Sequence, residues 1–156
     1  MRRWALVLLC ACTGSPGAGT ADGRALREVG QAWDAADGLP RVGPCLDHVE
    51  IVRHAGYDEF KTACASPFAA HADPRVLVGC TTDGMSANPW QSTNNYYVRI
   101  APLNMHEHET IQHEACHVII MCTGLHPDGD PRHTDPRVWA SGGADSVQAR
   151  ANSLAL

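Results

Sequence analysis

The chain has 156 residues, of which 44% are hydrophobic, 19% charged and only 6% aromatic, a composition that supports one hydrophobic core of ordinary size and not two. Fourteen glycines and ten prolines imply plentiful loops, but the apolar content is too high for a disordered or collagen-like chain. The formal charge is −5 and the basic residues form no run beyond Arg2-Arg3, so the footprint of a nucleic-acid binder is missing.

Arg2-Arg3 precede Trp4-Ala5-Leu6-Val7-Leu8-Leu9-Cys10-Ala11, a charged start and an apolar stretch too short to span a bilayer, which reads as an export signal over residues 1–11. Leu9-Cys10-Ala11-Cys12 resembles the lipobox of bacterial lipoproteins, departing from it at Cys10. The resemblance implies cleavage before Cys12 and attachment to a bacterial membrane through acyl chains on that cysteine, facing either the periplasm or the outside. The alternative is signal-peptidase cleavage after Ala21 and a secreted protein. Loss of residues 1–11 removes two arginines and no acid, so ten basic and 17 acidic residues remain and the exported part carries −7. Residues 12–24 are small and polar, the composition of a flexible tether, and residues 25–156 form a single domain.

Within that domain, Leu26, Val29, Trp33 and Ala36 recur at helical spacing, up to the break at Gly38-Leu39-Pro40. Alternation of Val49, Ile51 and Arg53 predicts a strand, and Tyr57 to Ala65 a helix carrying Phe60 and Cys64 inward. Val76 to Cys80 predicts a second strand, Thr81 to Asn95 a loop containing Trp90, and Tyr96 to Ala101 a third strand stopped by Pro102. A helix from Glu109 to Thr123 ends at Gly124, suited to a left-handed cap. A last helix starts near Thr134 to Pro136 and includes Val138, Trp139 and Val147. The sum is α+β, with a small mixed sheet.

Five cysteines follow the signal, Cys45, Cys64, Cys80, Cys116 and Cys122, a density that export makes readable as a disulfide framework. Cys116 lies inside the motif described next and is expected to stay free. The other four then form two bridges, in any of three pairings.

His113-Glu114-Ala115-Cys116-His117 fits H-E-x-x-H. On a helix the four-residue step turns both imidazoles to one side, where they can grip one zinc ion, and Glu114 projects about 100° away from His113, able to reach water without being a ligand. Ala115, Val118, Ile119 and Cys122 give the helix an apolar side. With nine His and six Glu in the chain, chance supplies roughly 0.02 such matches. A zinc site with open coordination needs a third protein ligand, for which His126 and His133 compete, with Asp130 or Asp135 as carboxylate alternatives.

Over residues 95–140 the sequence resembles the zincin metallopeptidases. The metzincin spacing departs here, because Gly124 is seven residues and His126 nine residues after His117. In minimal zincins of the SprT type the third histidine opens a helix bearing a hydrophobic and aromatic pair, which His133-Thr134-Asp135-Pro136-Arg137-Val138-Trp139 resembles. The resemblance implies a minimal zincin-like fold with His113, His117 and His133 on Zn2+ and Glu114 as general base. It also implies that Tyr96 to Ala101 is the edge strand pairing with an extended peptide or protein substrate, so that the chain is a membrane-anchored zinc metalloendopeptidase. Tyr96, Tyr97, Arg137 and the unused histidine stay open as oxyanion stabilisers. The rival readings are a zinc-binding surface module without turnover, and a disulfide-stapled lipoprotein in which the motif is coincidental.

Other features carry less. His106 and His108 fit a solvated first helix turn, and His48, His54 and His71 fit surface or hydrogen-bonded roles. Asp128-Gly129-Asp130 lacks the rest of a calcium loop and reads as a turn. Cys116 as a nucleophile is disfavoured because both neighbouring histidines are better used on zinc.

Overall fold

A computed structural model describes residues 19–64, 78–83, 95–126 and 129–155. The signal segment, Cys12, the tether up to residue 18, His71, Trp90 and Asp128 lie outside the described residues. Among the described residues the architecture is mixed α+β, with four α-helices and a small three-stranded sheet.

Helix α1 spans Ala21–Asp34, beginning where the Thr20 hydroxyl accepts the Gly23 N–H, an N-cap of the usual kind. It therefore starts inside the stretch expected to be tether and stops before Ala36. Gly30, in its middle, lies where a Cβ would only touch Leu46. Strand β1 is Val49–Arg53 and helix α2 is Tyr57–Cys64, with Phe60 and Cys64 buried. Strand β2 is Gly79–Asp83, so Thr81 and Thr82 belong to the sheet and not to the loop, while Val76 and Leu77 of the expected strand lie outside the described residues. Strand β3 is Tyr96–Ile100.

The sheet order is β1-β3-β2, with β1 parallel and β2 antiparallel to β3. This corrects the expectation for Tyr96 to Ala101: β3 is the central strand, and the antiparallel edge is β2. Cross-strand pairing selects that order, since Thr81 sits opposite Val98 and Thr82 opposite Tyr97, where β-branched and aromatic neighbours pack well.

Helix α3, Glu107–Thr123, is closed by Gly124 at φ 69°, whose N–H bonds back to Ile120 and Met121. It packs against α1, β2, β3 and the last helix, so Ile111, Ala115, Cys116, Val118, Ile119 and Ile120 are all buried. An apolar stripe on one side alone would not serve this position. Its core partners are Leu26, Val29 and Trp33 of α1 and Val49, Val98 and Ile100 of the sheet. A smaller cluster of Phe60, Cys64, Cys80 and Ala101 holds α2 to the sheet.

The last helix, α4, is Val147–Leu154, capped by Ser146, and not a helix from 134 to 136 onward. Residues 134–143 instead fold into turns and a short 3-10 segment, Ala140–Gly142. The chain there doubles back so tightly that a Cβ on Gly142 would fall 1.7 Å from the Pro136 carbonyl oxygen. Arg137 and Val138 carbonyls then receive the N–H groups of Val147 and Gln148, a hairpin-like return that a continuous helix cannot make.

Two disulfides join Cys45 to Cys122 and Cys64 to Cys80, and Cys116 is free and buried, the partition expected from the motif. The first ties the C-terminal end of α3 to the loop before β1, across 77 residues; the second spans 16. By loop-closure entropy these contribute roughly 4.5 and 3 kcal/mol. Guanidinium melts of the Cys45→Ala/Cys122→Ala and Cys64→Ala/Cys80→Ala pairs are expected to show the first as the costlier by about 1.4 kcal/mol; the reverse order would refute the chain-entropy account.

Candidate metal centre

His113 and His117 stand one turn apart on α3, and the loop from Gly129 to Asp135 lays His133 over them. The ligand-capable atoms of these three lie within 4.8 Å of one another, and no other such group occurs among the described residues. His117 Nε2 and His133 Nε2 are 3.3 Å apart. Two nitrogens bound tetrahedrally at 2.0–2.1 Å are roughly 3.3–3.4 Å from each other, so this pair already has the spacing of a chelate. Three neutral imidazoles are also a donor set suited to zinc.

The loop is held by Asp130. Its carboxylate accepts the backbone N–H groups of Thr134 and Asp135, the Thr134 hydroxyl at 2.7 Å and the Trp139 indole N–H at 2.7 Å. Burial alone would push this acid up, but those donors outweigh it and hold it down at about 2. Asp130 and His133 both take left-handed backbone conformations, φ 54° and 53°, rarely adopted without support. Trp139, buried, lies with its ring centroid 5.0, 4.6 and 4.3 Å from those of His113, His117 and His133. One carboxylate thus sets both the turn that delivers His133 and the floor beneath the imidazoles.

The alternative ligands go elsewhere. His126 lies 3.6 Å from Asp135, and Asp135 is paired with Arg137, 2.6 Å at the closest approach. Asp130 spends its oxygens on backbone, hydroxyl and indole donors. His108 was expected to be solvated, yet its Nε2 bonds Glu28 at 2.7 Å. Glu28 also accepts from Gln112 and Arg24, tying α1 to α3. His106 and His48 are exposed, and His54 is buried against Phe60 with Glu59 3.3 Å away but off the hydrogen-bonding direction.

Glu114 is buried beside β2. The Thr81 hydroxyl lies within donating distance of Glu114 Oε2, at 2.8 Å, and of the Glu114 backbone carbonyl oxygen, at 2.9 Å. Gly79 makes room: a Cβ there would come within 2.5 Å of Thr110 and 3.1 Å of the Glu114 side chain. Burial raises Glu114 to about 7, with the Thr81 bond opposing the rise, which is the range in which a carboxylate exchanges protons near neutrality. Burial, reinforced by His117 and His133, lowers His113 to about 3; burial also lowers His117 and His133. All three imidazoles are therefore neutral donors near pH 7. Burial pushes the Cys116 thiol far up, which removes it as a nucleophile at that pH.

Sequence reasoning missed Thr81, named Asp130 only as a carboxylate ligand and not as the anchor of the turn, and named Trp139 only as the aromatic of a helix pattern. An Asp followed by Pro, with Thr four residues on, was the available sign of a side-chain-closed turn. The chain matches no family model, no curated protein and no solved structure.

Glu114 and His113 act oppositely on the metal-free fold. Glu114, raised above its unfolded value, contributes stability below about pH 4.5 that is lost as pH rises through 7; His113, depressed, contributes above about 6.5 and loses it as pH falls through 3. Thermal melts of the metal-free chain and the Glu114→Gln variant are expected to move in the variant's favour between pH 4 and pH 8, by on the order of 3 kcal/mol. A difference that does not change with pH would contradict a buried, proton-retaining Glu114.

Proposed function

We propose that the chain is a zinc-dependent peptidase on a minimal zincin-like plan, working outside the cytoplasm and attached to a bacterial membrane by lipid on Cys12. The observation that carries this is the convergence of His133 with the imidazoles of His113 and His117 on α3 and the buried carboxylate of Glu114 one residue along that helix from His113. Two disulfides are compatible with an extracytoplasmic location. No helix among the described residues is long and apolar enough to cross a membrane, so attachment is assigned to the lipobox-like segment.

His113, His117 and His133 would hold the zinc. When bound, zinc supplies Lewis acidity toward a scissile carbonyl and lowers the pKa of a water from about 16 toward about 7. Glu114 would serve as the proton carrier of the site, accepting a proton from the attacking water on a carboxylate oxygen and returning it to the leaving amine. The Thr81 hydroxyl keeps the carboxylate oriented. β2, unpaired on its outer side among the described residues, offers main-chain donors and acceptors to an extended peptide and lies against the helix that bears Glu114.

Purified protein is expected to hold one zinc per chain, and the His113→Ala variant to lose most of it; equal stoichiometry in both would remove His113 from the ligand set. On a broad peptide library, Glu114→Gln is expected to lower hydrolysis by about 10²–10⁴ while zinc content stays unchanged. Zinc retained by the native chain with no turnover of any peptide would assign it instead to a surface binding module, and no zinc with both disulfides intact would leave a stapled lipoprotein.

A further inference from the structure

The outward-facing nitrogens of the two helix histidines are held by different kinds of partner. His117 Nδ1 lies 2.7 Å from the Gly129 carbonyl oxygen. A carbonyl only accepts, so the proton is on Nδ1 and Nε2 keeps its lone pair for a metal. His113 Nδ1 instead lies 2.8 Å from the amide nitrogen of Gln148, the second residue of α4. That amide is oriented by its other end, because Gln148 Oε1 accepts the backbone N–H of Ala140 at 3.1 Å. In this arrangement Gln148 donates, His113 Nδ1 accepts, and the His113 proton sits on Nε2, the nitrogen a metal requires free.

We propose that Gln148 is a positioning residue of the metal centre whose side-chain amide turns over on metal binding, so that Oε1 accepts from His113 Nδ1–H and releases Nε2 as a ligand. The inference rests on the zinc-site reading above. Metal-bound histidines regularly donate their second N–H to such an acceptor. The backbone need not move: Gln148 N–H bonds the Val138 carbonyl and Val147 N–H the Arg137 carbonyl, both at 2.9 Å. Only the last side-chain torsion has to rotate, and it is soft and nearly two-fold. The turned-over NH2 then meets the Ala140 N–H donor to donor, and because Ala140 is exposed both groups can turn to water instead. Through this contact α4, which touches the helix ligands by no other polar bond among those described, selects the tautomer of the first ligand.

The test compares zinc dissociation constants, by competition with a chromogenic chelator, for the native chain, Gln148→Leu and Gln148→Glu. Leu leaves Nδ1–H without an acceptor and is expected to weaken zinc by 10–100-fold. Glu has the same shape and offers only acceptor oxygens, so it is expected to bind zinc as tightly as the native chain or more tightly. In parallel, ¹⁵N NMR of the histidine rings in the native chain is expected to show the His113 proton leaving Nε2 for Nδ1 when zinc is added. A Leu variant equal to the native chain, a Glu variant as weak as Leu, or a His113 tautomer unchanged by zinc would each overturn the role of Gln148 while leaving the zinc site standing. A native chain that takes up no zinc would overturn the site itself, and this inference with it.

Discussion

The exclusion of water around α3 is the constraint on which the rest depends. The helix is packed by α1, two strands and α4, and the same burial that supplies hydrophobic stability sets the protonation of its polar residues. The imidazoles of His113 and His117 are held neutral and the Glu114 carboxylate at the edge of ionisation, and His133, laid over them, is lowered by its partial burial as well, since a charge removed from water is disfavoured unless a partner replaces it. The chemistry of the cluster is therefore a consequence of packing, with Thr81 as the one polar adjustment on Glu114.

A helix alone cannot complete such a cluster. The third histidine arrives on a segment without regular secondary structure, in a backbone conformation costing of order 1–3 kcal/mol for each left-handed residue. Asp130 offsets that cost by gathering four donors onto one carboxylate, each bond to a charged acceptor being worth about 1.5–3 kcal/mol. Because the indole of Trp139 is among those donors, the turn and the ring that supports the imidazoles cannot shift independently.

What could be read from the sequence follows the range of the interactions. The H-E-x-x-H geometry was legible because it is set within one helical turn, as was the stop at Gly124. Strand β1 and helix α2 were likewise carried by local alternation and spacing. The separation of Cys116 from the bridged cysteines followed from its place in the motif, whereas the pairing itself needed the fold. His133 was legible only by likeness to a family pattern, and the helix that pattern implied is replaced by a doubling-back that Gly142 permits. The edge of the sheet was misassigned because strand order is decided by pairings between distant segments, here Thr81 and Thr82 with Val98 and Tyr97. Gln148 reaches His113 across 35 residues, a distance at which spacing carries no signal.

Trp139 has an optical consequence. An indole whose ring centroid lies within 5.0 Å of those of three imidazoles is a built-in fluorophore for their protonation, since a protonated ring quenches its emission. Trp33, buried in α1 with its N–H on the Pro40 carbonyl, sits in surroundings that do not titrate with the cluster and gives a steadier emission beside it. Protonation of the cluster on acidification can thus be followed by light from the unlabelled chain.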